Sequence, residues 1–394
     1  MRPDGSTYGT SSGTSWTNAW SGWTGVSWAS MAAGDTLWIA GGSYTQTPVP
    51  DKSGTSGNTL KIKRARSDTV KCTAASGWSA AFDSLVTITN QSLFINTQDW
   101  ITFSGATTQT GGTWGILFDC PAFTGEDYGS TYPNSHNIQL RWVQFQGAGH
   151  VTYTGDSRGI SLSAAGTASD ITFFSVKINK FTTAVFINGP DNITFDRLDM
   201  SDCSSLNSAS WHPNGIWSSG CTNLTVKNSR FYKGTDGFGC GEGIFSEQGG
   251  GNSDWLIYGN RFVDLDNTGE KAIEITSATP NLFVYNNTFV NVIGGTITLS
   301  DTPSSTGGMQ KNNFLYNTSL QTGLSGMTSS NNVTATDTTR FTNYATRDLH
   351  IVSTIGAGYA RDAGVALGSP YDIDPDLVTR GVDGTWDCGA YEYA

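Results

Sequence analysis

Three glutamates, Glu242, Glu247 and Glu274, lie in the stretch from residue 212 to residue 274 together with the large aromatics Trp217 and Phe245. Two carboxylates held apart across a glycosidic bond can split it, one protonating the leaving oxygen while the other activates a water. Aromatic faces beside them stack on the apolar face of a sugar ring. On neighbouring parallel strands, two residues out of step, Glu247 and Glu274 fall about 8 Å apart, because strands are about 4.8 Å apart and alternate residues about 6.8 Å along. That separation suits an inverting displacement. His212, Asn214 and Lys271 stand close enough in sequence to contact the same substrate, and Glu270 and Asp236 offer oxygens to a metal ion. A competing reading makes the acids ordinary solvated residues, with Glu270, Lys271 and Glu274 neutralising one another. His212 is the one histidine of this region, His136, His150 and His350 lying elsewhere. A lone histidine is more often a hydrogen-bonding surface residue than a catalyst. Its neighbours Trp211, Asn214 and Trp217 make it a substrate-contact candidate.

Such a cluster needs a scaffold that brings distant residues onto one face, and the chain carries one in repeated form. HNIQLRWVQF, SDITFFSVKI, DNITFDRLDM, TNLTVKNSRF, SDWLIYGNRF and PNLFVYNNTF share an Asx residue, an apolar anchor and a large apolar residue seven places further on. The anchors Ile138, Ile171, Ile193, Leu224, Trp255 and Leu282 are spaced by 33, 22, 31, 31 and 27 residues. A period in this range with strand-type alternation signals a solenoid whose coils bury their apolar faces against one another. A second strand in each repeat aligns on Ile160, Val185, Ile216, Ile244, Ile273 and Ile297, which predicts one stacked interior column. The Asx residues, and a later stack of Asn260, Asn287 and Asn312, suit side-chain ladders along the turns. Against a minimal coil of 22 residues, the longer coils carry insertions near 201–213, 232–241 and 263–270, which would wall a groove containing Glu242, Glu247 and Glu274 and bordered by Trp217, Phe245 and His212. The Asn-X-Ser/Thr matches at Asn192, Asn223 and Asn286 coincide with the repeat and are not read as glycosylation sites.

Composition agrees with an all-β chain. Only 14% of the 394 residues are charged and 48 are glycine, which excludes a coiled coil, a helical bundle and charge-driven disorder. The net charge of −11 argues against nucleic acid or an anionic membrane as partner, since either needs a basic face. No stretch reaches the roughly 18 apolar residues of a transmembrane helix, and the polar start, Met1 to Gly13, has no signal-peptide core. The expectation is either that a signal has been removed or that the protein leaves its cell by another route, such as lysis within a virus particle. Six cysteines without a CxxC pair argue against zinc and leave disulfides and buried thiols equally open.

These residues resemble the right-handed parallel β-helix proteins of the pectate-lyase-like superfamily over nearly the whole chain. The entry GTSWTNAW followed by GDTLWIAGGSY, and the ending DCGAYEYA, are similar to the cap and closing tail of bacterial and phage members. The resemblance implies a single-stranded β-helix of about ten coils in one continuous domain, with a cap and first coil over residues 1–48, the helix over 49–345 and a closing segment over 346–394. It also implies an extracellular or virion-surface location and a polysaccharide partner, with self-association left open. The segment EKAIEITSATPNLFVYNNTF is similar to one in alginate lyases and chondroitinase B, where glutamates bind calcium, so Glu270 and Glu274 would match those ligands and calcium is the one cofactor implied. That family's lysine lies in an S-x-K-S motif, where this chain has Ser277, Ala278 and Thr279. Two functions follow: an enzyme cleaving an extracellular polysaccharide by hydrolysis or β-elimination, or a non-catalytic spike, decoration or adhesion protein.

Overall fold

The computed structural model describes residues 1–105, 114–122, 128–149, 157–163, 167–203, 213–235, 237, 239–247, 251–265, 271–299 and 304–393. His150, Trp211, His212, Asp236 and Glu270 therefore lie outside the described residues. A typical coil contributes three short strands, as in Asp191–Asp196, Asp199–Ser201 and Ile216–Ser219. Successive coils stack these into a first and a second sheet of eleven strands each and a third of eight, every neighbouring pair parallel. Eleven strands per long sheet make eleven coils among the described residues, in keeping with the expected number of about ten. The winding is the right-handed parallel β-helix, the hand that connections between parallel strands almost always take.

The interior columns follow the alternation of the sequence. Ile160, Val185, Ile216, Ile244, Ile273 and Ile297 pair in unbroken register along the third sheet, and all are fully buried. In the second sheet Phe145, Ile178, Met200, Phe231, Phe262 and Phe289 do the same. The rings of Phe231, Phe262 and Phe289 stack at 4.7 and 5.1 Å between centroids, nearly parallel. A parallel sheet covered on its inner face reads as apolar residues at every second position, and here that reading sets the register.

Turns are ordered by amides. Asn137, Asp170, Asn192, Asn223, Asp254 and Asn281 all adopt the left-handed conformation, with φ between 56 and 58°. Asn and Asp tolerate that region, whereas most L residues lose about 1–2 kcal/mol there. Their side chains link between coils: Asn192 Nδ2 donates to Asp170 Oδ1 at 3.2 Å and Asn223 Nδ2 to Asn192 Oδ1 at 2.9 Å. A second, buried ladder runs between the first two sheets. Asn260 Nδ2 donates to Asn287 Oδ1 at 3.0 Å, Asn287 Nδ2 to Asn313 Oδ1 at 3.1 Å, and Asn313 Nδ2 to Asn332 Oδ1 at 2.9 Å. The stack thus continues through Asn313, not Asn312. Asn312 is the left-handed residue of the turn (φ 55°) and its amide exchanges hydrogen bonds with the backbone of Val365.

Cys203 and Cys240 form a disulfide, while Cys72, Cys120, Cys221 and Cys388 are buried thiols, so both cysteine readings are realised. At the C-terminal end an antiparallel hairpin, Phe341–Asn343 with Asp348–Ile351, and the final tail pack on the outer side of the second sheet. His350 links the two. Its ring stacks on Tyr391 at 3.9 Å, Nδ1 bonds Asp348, and Nε2 lies 2.6 Å from Asp376. Burial opposes the imidazolium, but the two carboxylates outweigh it and raise the pKa above its ordinary 6.5. A raised folded pKa contributes stability that is fully present below 6.5 and lost as pH climbs through the folded value. The Tm advantage of wild type over His350→Gln should therefore shrink between pH 5.5 and 8.5. A constant difference would show that the stacking alone matters.

Candidate functional site

The third sheet presents an aromatic and acidic column to the outside. Phe186, Trp217, Phe245, Glu274 and Thr298 pair in register on five successive coils. They alternate with the buried isoleucines and so must point outward. Trp217 stands nearly edge-on to both neighbours, at 5.3 Å from Phe186 and 6.2 Å from Phe245. The Arg158 guanidinium lies 3.7 Å over the Phe186 ring and extends the column by a cation. Phe186, Trp217, Phe245, Glu274 and Thr298 share one sequence cue, each directly following an interior residue, yet Arg158 and Phe186 escaped the sequence reading because they lie outside the inserted coils.

Glu247 follows the strand Ile244–Ser246 and is tied down twice. Its backbone N–H donates to Ser218 O at 2.8 Å, and its carboxylate Oε2 accepts the Trp217 indole N–H at 3.2 Å. Glu274 pairs with Phe245 on the next coil, one strand across and two residues back from Glu247. Strand geometry for that offset gives about 8 Å between the two positions. Both are half-buried at the surface.

Glu242 and Asn214 are placed differently from the sequence expectation. Glu242 is 4% exposed and Asn214 1%, so neither faces the open groove. The reason is parity: each sits two residues before an inward isoleucine, Ile244 or Ile216, and shares its side of the chain. Among the described residues neither amide atom of Asn214 has a hydrogen-bond partner. Lys271 occupies the corresponding position before Ile273 but is half-exposed. This makes a polar row under the corner between the second and third sheets, with Lys271 the member that reaches solvent. The Cys203–Cys240 disulfide joins the segment following Asp199–Ser201 to that preceding Ile244–Ser246, beside this corner. His212, Asp236 and Glu270 cannot be placed, lying outside the described residues. Among the described residues no three His, Cys, Asp or Glu side chains converge as a metal-binding group, and no helix is long and apolar enough to cross a membrane.

No known protein family's sequence profile matches the chain, and no curated protein sequence does. Among solved structures it is similar to the pectate lyase Pel9A, with 13% identity, a TM-score of 0.50, and 93% of this chain and 90% of that one covered. An alginate lyase from Paenibacillus sp. str. FPU-7 is similar at 12% identity and a TM-score of 0.50, over 77% of this chain and 94% of that one. At such identities the likeness concerns the fold. The chain has the parallel β-helix fold of the pectate-lyase-like proteins, as its repeats imply.

Proposed function

We propose that the outer face of the third sheet binds an extracellular polysaccharide along the helix axis and that Glu247 and Glu274 hydrolyse it. The observation that carries this reading is the joining of a carboxylate pair to an aromatic track, through the Trp217 N–H bonded to Glu247 and the pairing of Phe245 with Glu274. Phe186, Trp217 and Phe245 would receive successive sugars. Glu247, held as a hydrogen-bond acceptor, would take a proton from the attacking water. Glu274, about 8 Å away, would give its proton to the glycosidic oxygen as the bond from that oxygen to the anomeric carbon breaks. The water oxygen ends on the anomeric carbon and the proton from Glu274 on the leaving sugar. A neutral or weakly charged polymer suits a chain with net charge −11.

Polysaccharides screened for new reducing ends and for unsaturated uronates distinguish hydrolysis from β-elimination. Polyuronates belong in that screen with and without a chelator, because calcium would have to bridge their carboxylates to this acidic surface. On the substrate found, Glu247→Gln and Glu274→Gln should each lower turnover by about a hundredfold or more with binding largely kept. Wild-type behaviour of both variants, with binding abolished by Trp217→Ala, would sink the hydrolase and leave a glycan-binding adhesion or spike protein.

A further inference from the structure

The first sheet carries a second outward surface of different chemistry. Thr172, Thr194 and Thr225 pair in register on three successive coils, preceded by Gln139 and Thr102. Together with the Asx ladder, all of these but Thr102 line an open trough of about 490 Å³. Among the described residues the three threonine hydroxyls have no protein partner. Asp170 is the one carboxylate in the lining, and its two oxygens already accept from Asn192 and Ser169. Apart from Asp170 the lining is uncharged, and it is rich in unused hydrogen-bonding groups.

Trp100 lines one end of the trough, beside Thr59 of the preceding coil. Ile101 pairs with Ile138, so Trp100 occupies the ladder place that Asn137 fills on the next coil. Its φ is 57°, the same left-handed conformation that Asn or Asp adopts in the six following coils. A bulky side chain is costly in that region, and persistent strain of this kind concentrates where a residue binds something. Among the described residues the Trp100 ring makes no contact with another aromatic ring; it is half-buried and lines the trough. An asparagine there would remove the strain and extend the ladder, yet the chain keeps an aromatic platform.

We infer that this face is a second, non-catalytic glycan-docking track for an extended uncharged polysaccharide, with Trp100 stacking on one pyranose and the threonine and asparagine ranks bonding the hydroxyls of those that follow. Coil spacing supports that occupant: hydrogen-bonding groups recur about every 4.8 Å, close to the length of one equatorially linked pyranose in an extended chain. An acidic polymer finds no cation among the trough's lining residues.

The track is tested by native affinity electrophoresis in gels containing hydroxyethyl cellulose, xyloglucan or, as an acidic comparison, alginate. Wild type should be retarded by a neutral polymer. Trp100→Asn should weaken the affinity that remains in a Trp217→Ala background by about tenfold or more, while its own Tm stays level or rises by about a degree or two. The triple variant Thr172→Val, Thr194→Val, Thr225→Val should weaken the same binding without unfolding. Unchanged retardation of Trp100→Asn, retardation by alginate alone, or none with either neutral polymer overturns the inference. Loss of binding in Trp217→Ala alone, with Trp100→Asn unaffected, overturns it too but leaves the third-sheet reading standing.

Discussion

Ile244→Asp should abolish the cooperative fold of the central coils. Ile244 is fully buried between Ile216 and Ile273 in the interior column of the third sheet. An aspartate there places a carboxyl in an apolar stack with no partner, at a cost of several kcal/mol in rough terms. In a solenoid each coil depends on its neighbours, so the damage should be centred on the coils around residue 244 and spread outward. Hydrogen exchange should show lost protection around Ile216–Ser219 and Ile273–Ile275, with the early coils less affected. Ile244→Val, which trims one methyl, should cost only about 0.5–1.5 kcal/mol. An unchanged Tm in the aspartate variant would mean that this column is not the core.

Arg380→Met is expected to release the C-terminal tail. Arg380 and Glu392 side chains are 1% and 3% exposed and lie 3.3 Å apart. The guanidinium also donates to the carbonyls of Gly389 and Ala390, in the tail that closes over the second sheet. Glu392 accepts backbone N–H groups of Gly381 and Asp387, and its own N–H donates to Asp374. Removing the cation leaves these buried carboxylates without their counter-ion, a change that typically costs about 3–5 kcal/mol. Burial already lifts the Glu392 pKa from 4.5 to about 7, against the pull of Arg380. A group raised in the folded state stabilises most below its unfolded pKa, here 4.5, and progressively less as pH rises through 7. The Arg380→Met deficit should thus be larger at pH 8 than at pH 5, where Glu392 can take a proton. Denaturation midpoints at the two pH values, read against wild type, would show it; a pH-independent deficit would place the loss in packing alone.

These two sites also differ in how visible they were. The Ile244 column could be read directly, because alternation, repeat spacing and an apolar anchor in each copy all point to the same register. The buried asparagine ladder was legible at Asn260 and Asn287 and slipped by one at Asn313. Asn312 and Asn313 are adjacent asparagines, one destined for the left-handed turn and the other for the interior, and nothing in their type says which. Glu242 was misread for a related reason. It shares the parity of Ile244, but being charged and next to an insertion it looked like a groove residue. Which two of six cysteines meet was likewise beyond sequence, since the partners stand 37 residues apart across segments of irregular length.

Alternation and repeat length settle the class of fold, the coil register and the outward column of Phe245 and Glu274, because a period-two strand repeated at coil length leaves one arrangement that buries its isoleucines. Packing between distant coils and loops sets what each polar residue does within that frame. It bonded the Trp217 indole to Glu247, buried Glu242 and Asn214, and closed the tail around Arg380. It also set Trp100 in a left-handed position that its residue type would not suggest. Apolar columns are governed by local pattern, whereas the state of a polar side chain depends on which distant coil or loop comes to cover it, and that is a property of the packed chain.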